Sequence, residues 1–333
     1  MSELRRDITT GEWVIMNTGR RDRPSDLHTD ENSPGKPAAS TPCPFCAGQE
    51  HLTPPQILAL DGPEKGRWQV RVVPNLFPAV TLEEDSAGKI ENHLFLSLPG
   101  VGKHEVIIET PEHHQILPLM DDKSIALVLQ AYRERYLALS QVPALKTIII
   151  FKNHGRKAGT SLEHPHSQIV ATAVIPGYIR RQCDLAANYY RQCNSNMYTD
   201  LIAAEVQART RIIIETGKYV VFHPFASQRP FETWIIRREF QASFSQVSPE
   251  EIGELASVLR QTLLKLYRGL KNPDYNLVIY SVPVGEEQSG FYQWHIRIIP
   301  RITEAAGFEI GSGIFINTAL PEETAKFLRE LKA

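Results

Sequence analysis

Residues 104–113, HEVIIETPEH, and residues 231–240, FETWIIRREF, carry one pattern twice: a short run of β-branched and aromatic residues between charged ones, which predicts a strand each time. The segments around them recur in the same order. VRVVPNLFPA (70–79) is answered by YVVFHPFA (219–226), and DDKSIALVLQAYRERYLALS (121–140) by SPEEIGELASVLRQTLLKLY (248–267). KTIIIFKN (146–153) is answered by YNLVIYS (275–281), and PHSQIVA (165–171) by WHIRIIP (294–300). Strand, strand, helix, strand, strand, read twice, predicts a duplicated α+β unit with two domains, 1–175 and 176–333, joined near 176–215. The second helix has the clearest signals. Ser248 can cap it, Pro249 suits its first position, and Glu250 and Glu251 complement its positive end. Ile252, Leu255, Ala256, Leu259, Leu263 and Leu266 recur at helical spacing and form a core face. PEETAKFLRELKA (321–333) begins similarly and predicts a short closing helix, whereas 19–48 is Pro-, Ser-, Gly- and charge-rich and reads as loop.

Composition bounds the function. The chain has 333 residues, 42% of them hydrophobic, and 36 basic against 38 acidic residues give a net charge of -2. That balance disfavours a nucleic-acid backbone as partner. No run approaches the roughly eighteen apolar residues of a membrane span, and the first residues are charged where a signal peptide is apolar, so the expected location is the cytoplasm. Four cysteines are too few for a disulfide scaffold. Two of them form Cys43-Pro44-Phe45-Cys46, which reads first as a metal site, with redox-active thiols as the rival.

Nine of the eleven histidines fall in the first unit, and the second keeps His223 and His295. The focus is FKNHGRKAGTSLEHPHSQ (151–168). Strand alternation is expected to place His164, His166 and Gln168 on one face, after a loop whose Gly155 and Gly159 let backbone amides approach a phosphate. Asn153, Thr160 and Ser161 converge on the same place. Other phosphate and hydrolase signatures are missing: PGVGKH (99–104) lacks the P-loop spacing, and there is neither Gly-x-Gly-x-x-Gly nor Gly-x-Ser-x-Gly.

The His164-Pro-His166-Ser-Gln168 stretch, with Asn153, Gly155, Gly159 and Ser161 ahead of it, resembles the active-site motif of galactose-1-phosphate uridylyltransferases in the histidine-triad superfamily. Arg20-Arg-Asp-Arg23-Pro24 is similar to the family's phosphate-contacting segment, Asn75-Leu76-Phe77 to its nucleoside-contacting segment, and Pro230-Phe231-Glu232-Thr233 to a strand start. The resemblance covers nearly the whole chain and implies two histidine-triad-like units, each an antiparallel sheet with packed helices, in a homodimer. It implies that His166 is the nucleophile of a two-step exchange, taking UMP from UDP-glucose as a covalent nucleotidyl-histidine and passing it to galactose 1-phosphate. Gln168 stands where small histidine-triad hydrolases have a third His, and an amide cannot protonate a leaving group, so transfer is favoured over hydrolysis. Arg20, Arg23, Asn75, Phe77, Asn153, Gly159, Thr160 and Ser161 would bind the nucleotide. The resemblance also implies a structural zinc held by Cys43, Cys46, His164 and His113, with His114 an adjacent contender for the last place.

The chain departs from the family in two places. Arg297 replaces the second His of a C-terminal His-x-His, and Gln182 stands about where a Glu would lie, which predicts no second metal. The sugar-binding segment reads AGFEIGSGIFIN (306–317), in which Gly311 and Gly313 would offer amides and Glu309 and Asn317 would read hydroxyls. This version resembles a branch that includes adenylyl-transferring relatives acting on ADP-glucose. The expected activity is therefore uridylyl transfer, with adenylyl transfer from ADP-glucose, or a non-catalytic zinc-stabilised nucleotide-binding module, as alternatives.

Overall fold

A computed structural model describes residues 2–17, 42–62, 66–82 and 88–331. In chain order the elements are β1 (Glu3–Arg6), β2 (Trp13–Met16), β3 (Leu58–Asp61), β4 (Trp68–Pro74), β5 (Lys89–Glu91), β6 (Phe95–Pro99), β7 (Gly102–Ile108), α1 (Asp122–Ser140), β8 (Thr147–His154) and β9 (His166–Thr172). They continue with α2 (Gly177–Cys193), α3 (Met197–Ala208), β10 (Ile212–Glu215), β11 (Tyr219–Phe222), β12 (Thr233–Arg237), α4 (Pro249–Leu270), β13 (Tyr275–Tyr280), β14 (His295–Pro300), α5 (Gly307–Ser312) and α6 (Pro321–Glu330). The fold is α+β, with antiparallel sheets as expected.

Ten strands form one antiparallel sheet in the order β10-β11-β12-β14-β13-β8-β9-β7-β4-β3. Read from its two ends, the order is the same series of elements, so the duplication is a pseudo-two-fold centred on the β8–β13 pair. Asn153 lies opposite Asn276 there. The seam is not a gap: one buried cluster takes Val70, Ile107, Ile150 and Ile169 from the first half and Val221, Ile235, Ile279 and Ile298 from the second. Helices α1 and α4 pack against each other over it. Their starts follow from sequence. Asp121 accepts from the Ser124 N–H at 2.7 Å, and Glu251 reaches back to the Ser248 N–H at 2.9 Å in a capping box, each satisfying donors that a helix terminus leaves open.

The structure refines the repeat by one residue. Ile108 pairs with His166 in β7–β9, and Ile236 pairs with His295 in β12–β14, so Glu232 is the counterpart of His104, whereas the sequence alignment set Glu232 against Glu105. The 176–215 junction is also more structured than its pattern implied. It contains α2, whose buried stripe is only Ile179, Cys183 and Ala186, then α3 capped by Asn196, and β10, which already belongs to the second half of the sheet. A separate four-stranded sheet, β2-β1-β6-β5, has strands of three to five residues, too short for periodicity to register.

Candidate active site and metal centre

His166 opens β9, and the pleat puts it on the same face as Gln168 and Val170. Its Nδ1 lies 2.8 Å from the His164 carbonyl, which can only accept, so the ring hydrogen sits on Nδ1 and the lone pair is on Nε2. Nε2 makes no hydrogen bond among the described residues. Burial pushes the ring's pKa below the ordinary histidine value, which keeps it neutral. Phe45 packs edge-on against it with ring centres 5.4 Å apart. Gln168 and Asn153, one residue from the end of β8, line a cleft of about 340 Å³ together with Ile15, Asn17, Ala79, His104, Phe151 and Val170. Asn276, from the second half, donates to Asn153 Oδ1 at 2.9 Å and so turns the Asn153 NH2 away from itself.

Behind β9 lies a buried charged network that sequence reading missed. Lys152 Nζ is 2.6 Å from Glu109 Oε2 and 3.3 Å from the His166 carbonyl, with both side chains essentially inaccessible. Ser167 donates to the same carboxylate, and the Tyr132 hydroxyl from α1 lies 2.5 Å from Ser167 Oγ. Two charges removed from water persist only when each is paired and hydrogen-bonded, and here that condition clamps the strand carrying His166 to the helix beneath it. A Lys and a Glu at inward positions of otherwise apolar strands are the one trace of it in the sequence.

The loop before the motif is tighter than its sequence shows. Gly155 and Gly159 have φ of +82° and +85° and flank a 3-10 turn at Arg156–Ala158, so glycine is required at both. The Lys157 amide donates to Asp274 at 2.6 Å, and the Ala158, Gly159 and Thr160 amides donate to carbonyls inside the turn. Those four donors are spent on folding, whereas the Gly155, Arg156 and Ser161 amides have no hydrogen-bond partner among the described residues. A Cβ on Gly155 would meet Asp274 Oδ1 at 2.0 Å. Gly155→Ala is accordingly expected to destabilise the fold by about 1–3 kcal/mol in urea unfolding; an unchanged midpoint would contradict the role given to this turn.

Of the other expected nucleotide contacts, Asn75 holds the Phe77 amide at 2.8 Å and approaches the ring of His104, which lines the cleft. Arg20 and Arg23 lie outside the described residues.

Cys43, Cys46, His113 and His164 bring their ligand atoms within 4.8 Å of one another. Cys46 Sγ lies 3.3 Å from His113 Nδ1 and 3.6 Å from His164 Nδ1, and Cys43 Sγ lies 3.7 Å from His164 Nδ1. A tetrahedral ion with bonds of about 2.3 Å to sulfur and 2.0 Å to nitrogen spaces such ligands about 3.6 Å apart, so this donor set fits a metal. His164 Nε2 faces the Thr110 carbonyl at 2.8 Å, which fixes the tautomer that leaves Nδ1 free to ligate. Burial raises the Cys43 thiol to about 11 and lowers His164 to about 4. Of the two neighbouring histidines, His113 contributes to the cluster, while His114 stacks edge-on against it at 4.5 Å. Since β9 begins at His166, His164 is not on its pleat as alternation suggested; it turns into this cluster.

Comparison with known proteins places this geometry. The sequence profile of the galactose-1-phosphate uridyl transferase N-terminal domain matches residues 1–176. The chain belongs to the galactose-1-phosphate uridyl transferase family. A domain of unknown function, DUF4921, matches residues 115–332. An ADP-glucose phosphorylase of Arabidopsis thaliana is 32% identical, across 99% of this chain and 93% of that protein. A galactose-1-phosphate uridylyltransferase of Thermotoga maritima is 29% identical, across 99% and 98%. A crystal structure of an ADP-glucose phosphorylase from Arabidopsis thaliana with bound ADP-glucose superposes with a TM-score of 0.78 at 30% identity, covering 100% of each chain.

Within this uridyl transferase family fold, the second half shows why only one half is open. His295 repeats His166, with Nδ1 3.1 Å from the Gln293 carbonyl. Trp234 stacks on it at 4.4 Å and Tyr280 at 5.3 Å, at positions that in the first half are Val106 and Asn153. Two aromatic rings thus cover His295 where the first half has Val106 and Asn153, and His295 Nε2 is buried without a partner among the described residues. Arg297, the counterpart of Gln168, pairs with Glu232 at 2.7 Å and donates to the Tyr178 hydroxyl at 2.7 Å. Gln182 lies within 3.4 Å of the Tyr178 and Tyr292 hydroxyls.

The 306–317 segment also differs from expectation. Gly311 lies in α5, Glu309 accepts from the Ala306 N–H at the start of that helix, and Gly313 terminates it with φ of +70°. Asn317 donates to the Ser227 carbonyl at 2.9 Å. These groups are engaged in local folding and none lines the cleft of its own chain.

Proposed function

We propose that this chain is a nucleotidyltransferase that works through a covalent adduct on His166. The observation that carries this reading is the His166 tautomer: Nδ1–H is held by the His164 carbonyl, and the Nε2 lone pair, unengaged among the described residues, lies on the strand face that Gln168 presents to the cleft. In the first step Nε2 attacks the α-phosphorus of a nucleotide sugar, an N–P bond forms, and the P–O bond to the sugar phosphate breaks, the leaving oxygen keeping the electron pair. The ring then carries positive charge, which the His164 carbonyl stabilises through Nδ1–H. In the second step a phosphate oxygen of the acceptor displaces the imidazole. Little else is needed beyond positioning and charge neutralisation, which the Gln168 and Asn153 amides would supply to the phosphate oxygens. Zinc is the metal we propose for the Cys43, Cys46, His113 and His164 cluster; as a closed site it would supply structural rigidity at His164.

For the donor, the first reading is UDP-glucose with galactose 1-phosphate as acceptor, supported by Asn75 and Phe77 and by the family match over 1–176. The second reading, ADP-glucose with inorganic phosphate as acceptor, is favoured by the 32% identity to an ADP-glucose phosphorylase and by the 306–317 segment. Initial rates of protein labelling from α-labelled donors separate them. We expect UDP-glucose to label at least tenfold faster, about 1.4 kcal/mol, a difference that a few buried polar contacts supply. A reversed ratio assigns the second reading. Labelling by neither leaves the non-catalytic binding module. Among the described residues no helix is long and apolar enough to cross a membrane, and we propose a cytoplasmic homodimer. Phe308, Ile310, Ile314 and Ile316 are exposed, so the segment expected to read the sugar offers an apolar surface to a second copy.

A further inference from the structure

His104 lies outside the motifs that mark the chemistry, yet its ring joins three elements of the site. Its Nδ1 is 3.0 Å from the Ala79 backbone nitrogen, and its Nε2 is 2.8 Å from Gln168 Oε1 and 3.1 Å from Asn75 Nδ2. The ring is 5% exposed and lines the cleft. A backbone N–H can only donate, so Nδ1 must hold the lone pair and the hydrogen of the neutral ring sits on Nε2. That hydrogen requires an acceptor, which is the carbonyl end of the Gln168 amide. Asn75 cannot take this role, because its own oxygen already accepts from the Phe77 N–H at 2.8 Å and it turns its NH2 toward the ring.

With Oε1 held by His104, the NH2 of Gln168 is directed away from the ring, and it has no partner among the described residues. An amide turned end for end would offer an oxygen to the incoming phosphate and repel it. The second half repeats this cross-strand diagonal with the opposite outcome: Glu232, the counterpart of His104, binds Arg297, the counterpart of Gln168, and Tyr178 and Gln228 take the guanidinium's other donors. We propose that His104 is a positioning residue that passes the direction set by the Ala79 N–H through its imidazole and fixes the Gln168 carboxamide with its NH2 toward the substrate phosphate.

This inference rests on the nucleotidyl-transfer reading, and two substitutions test it. His104→Asn places an oxygen where Nδ1 accepts from Ala79 but nothing where Nε2 donates. His104→Gln places an NH2 where Nε2 donates but gives up the Ala79 contact. The readout is the single-turnover rate of His166 labelling by α-labelled UDP-glucose and ADP-glucose, beside thermal unfolding of each variant. We expect His104→Asn to label about 10- to 100-fold more slowly than wild type and His104→Gln to fall between the two, because its NH2 still reaches Gln168 Oε1 while nothing at Ala79 fixes its direction. A structural role alone would favour the Asn variant, which keeps the backbone contact. Wild-type labelling in His104→Asn, or no recovery in His104→Gln, overturns the inference and leaves the transfer reading standing. Absence of labelling in wild type with either donor overturns the transfer reading and this inference with it.

Discussion

His166→Ala is expected to fold normally, to form no acid-labile nucleotidyl adduct, and to turn over roughly 10⁵-fold more slowly or worse, the scale seen when a nucleophile is removed from an enzyme with a covalent intermediate. The reasons are local. Among the described residues the ring makes one hydrogen bond, to the His164 carbonyl, so its removal costs that one donor and leaves nothing unsatisfied at Nε2. No other side chain can take over. Ser167 is turned to the opposite face and engaged with Glu109 and Tyr132, and the imidazole of His164 faces Cys43 and Cys46. Mass measurement of protein mixed with donor but no acceptor reads the adduct directly. Wild-type adduct in this variant would exclude His166 as nucleophile.

Cys43→Ser and Cys46→Ser are each expected to lose about one zinc per chain and to lower stability by several kcal/mol, because a ligand set absent from the unfolded chain makes metal affinity a part of folding free energy. The consequence should reach the chemistry only indirectly. His164 is held at Nδ1 by the cluster and at Nε2 by Thr110, and its carbonyl fixes the tautomer of His166. Molecules that remain folded should therefore keep a measurable labelling rate while unfolding at much lower temperature. Metal analysis and melting curves, with and without chelator, check both parts. Metal-free protein with an unchanged melting curve would remove the structural role.

Much of this was legible in one sequence because the signals are local. The helix at 249–270 has its cap, its first-turn acids and its apolar face written within a few residues, and the Cys43–Cys46 pair and the 164–168 motif announce their donor types. The two strands of the repeat were legible by composition, but their register was not: nothing local distinguishes Glu105 from His104 as the partner of Glu232, whereas hydrogen-bonded pairing decides it. The α2–α3 segment was missed because its buried stripe is three residues wide, and the first sheet because its strands are short.

The amino-acid sequence by itself determined the duplicated α+β order, the apolar strand that follows the 164–168 motif and the Cys43–Cys46 pair, since these depend on spacing along the chain, whereas the gathering of His113 and His164 with that pair came from the tertiary structure. Tertiary structure alone decided which polar groups remain free to act. The amides of residues 157–160 are consumed by a turn and by Asp274, residue 297 is neutralised by Glu232, His295 is walled in by Trp234 and Tyr280, and Gln168 is oriented by His104. The physical reason is that a donor or acceptor serves a ligand only when no nearer group in the fold has claimed it, and in a buried site nearly every such group is claimed by a residue distant in the chain.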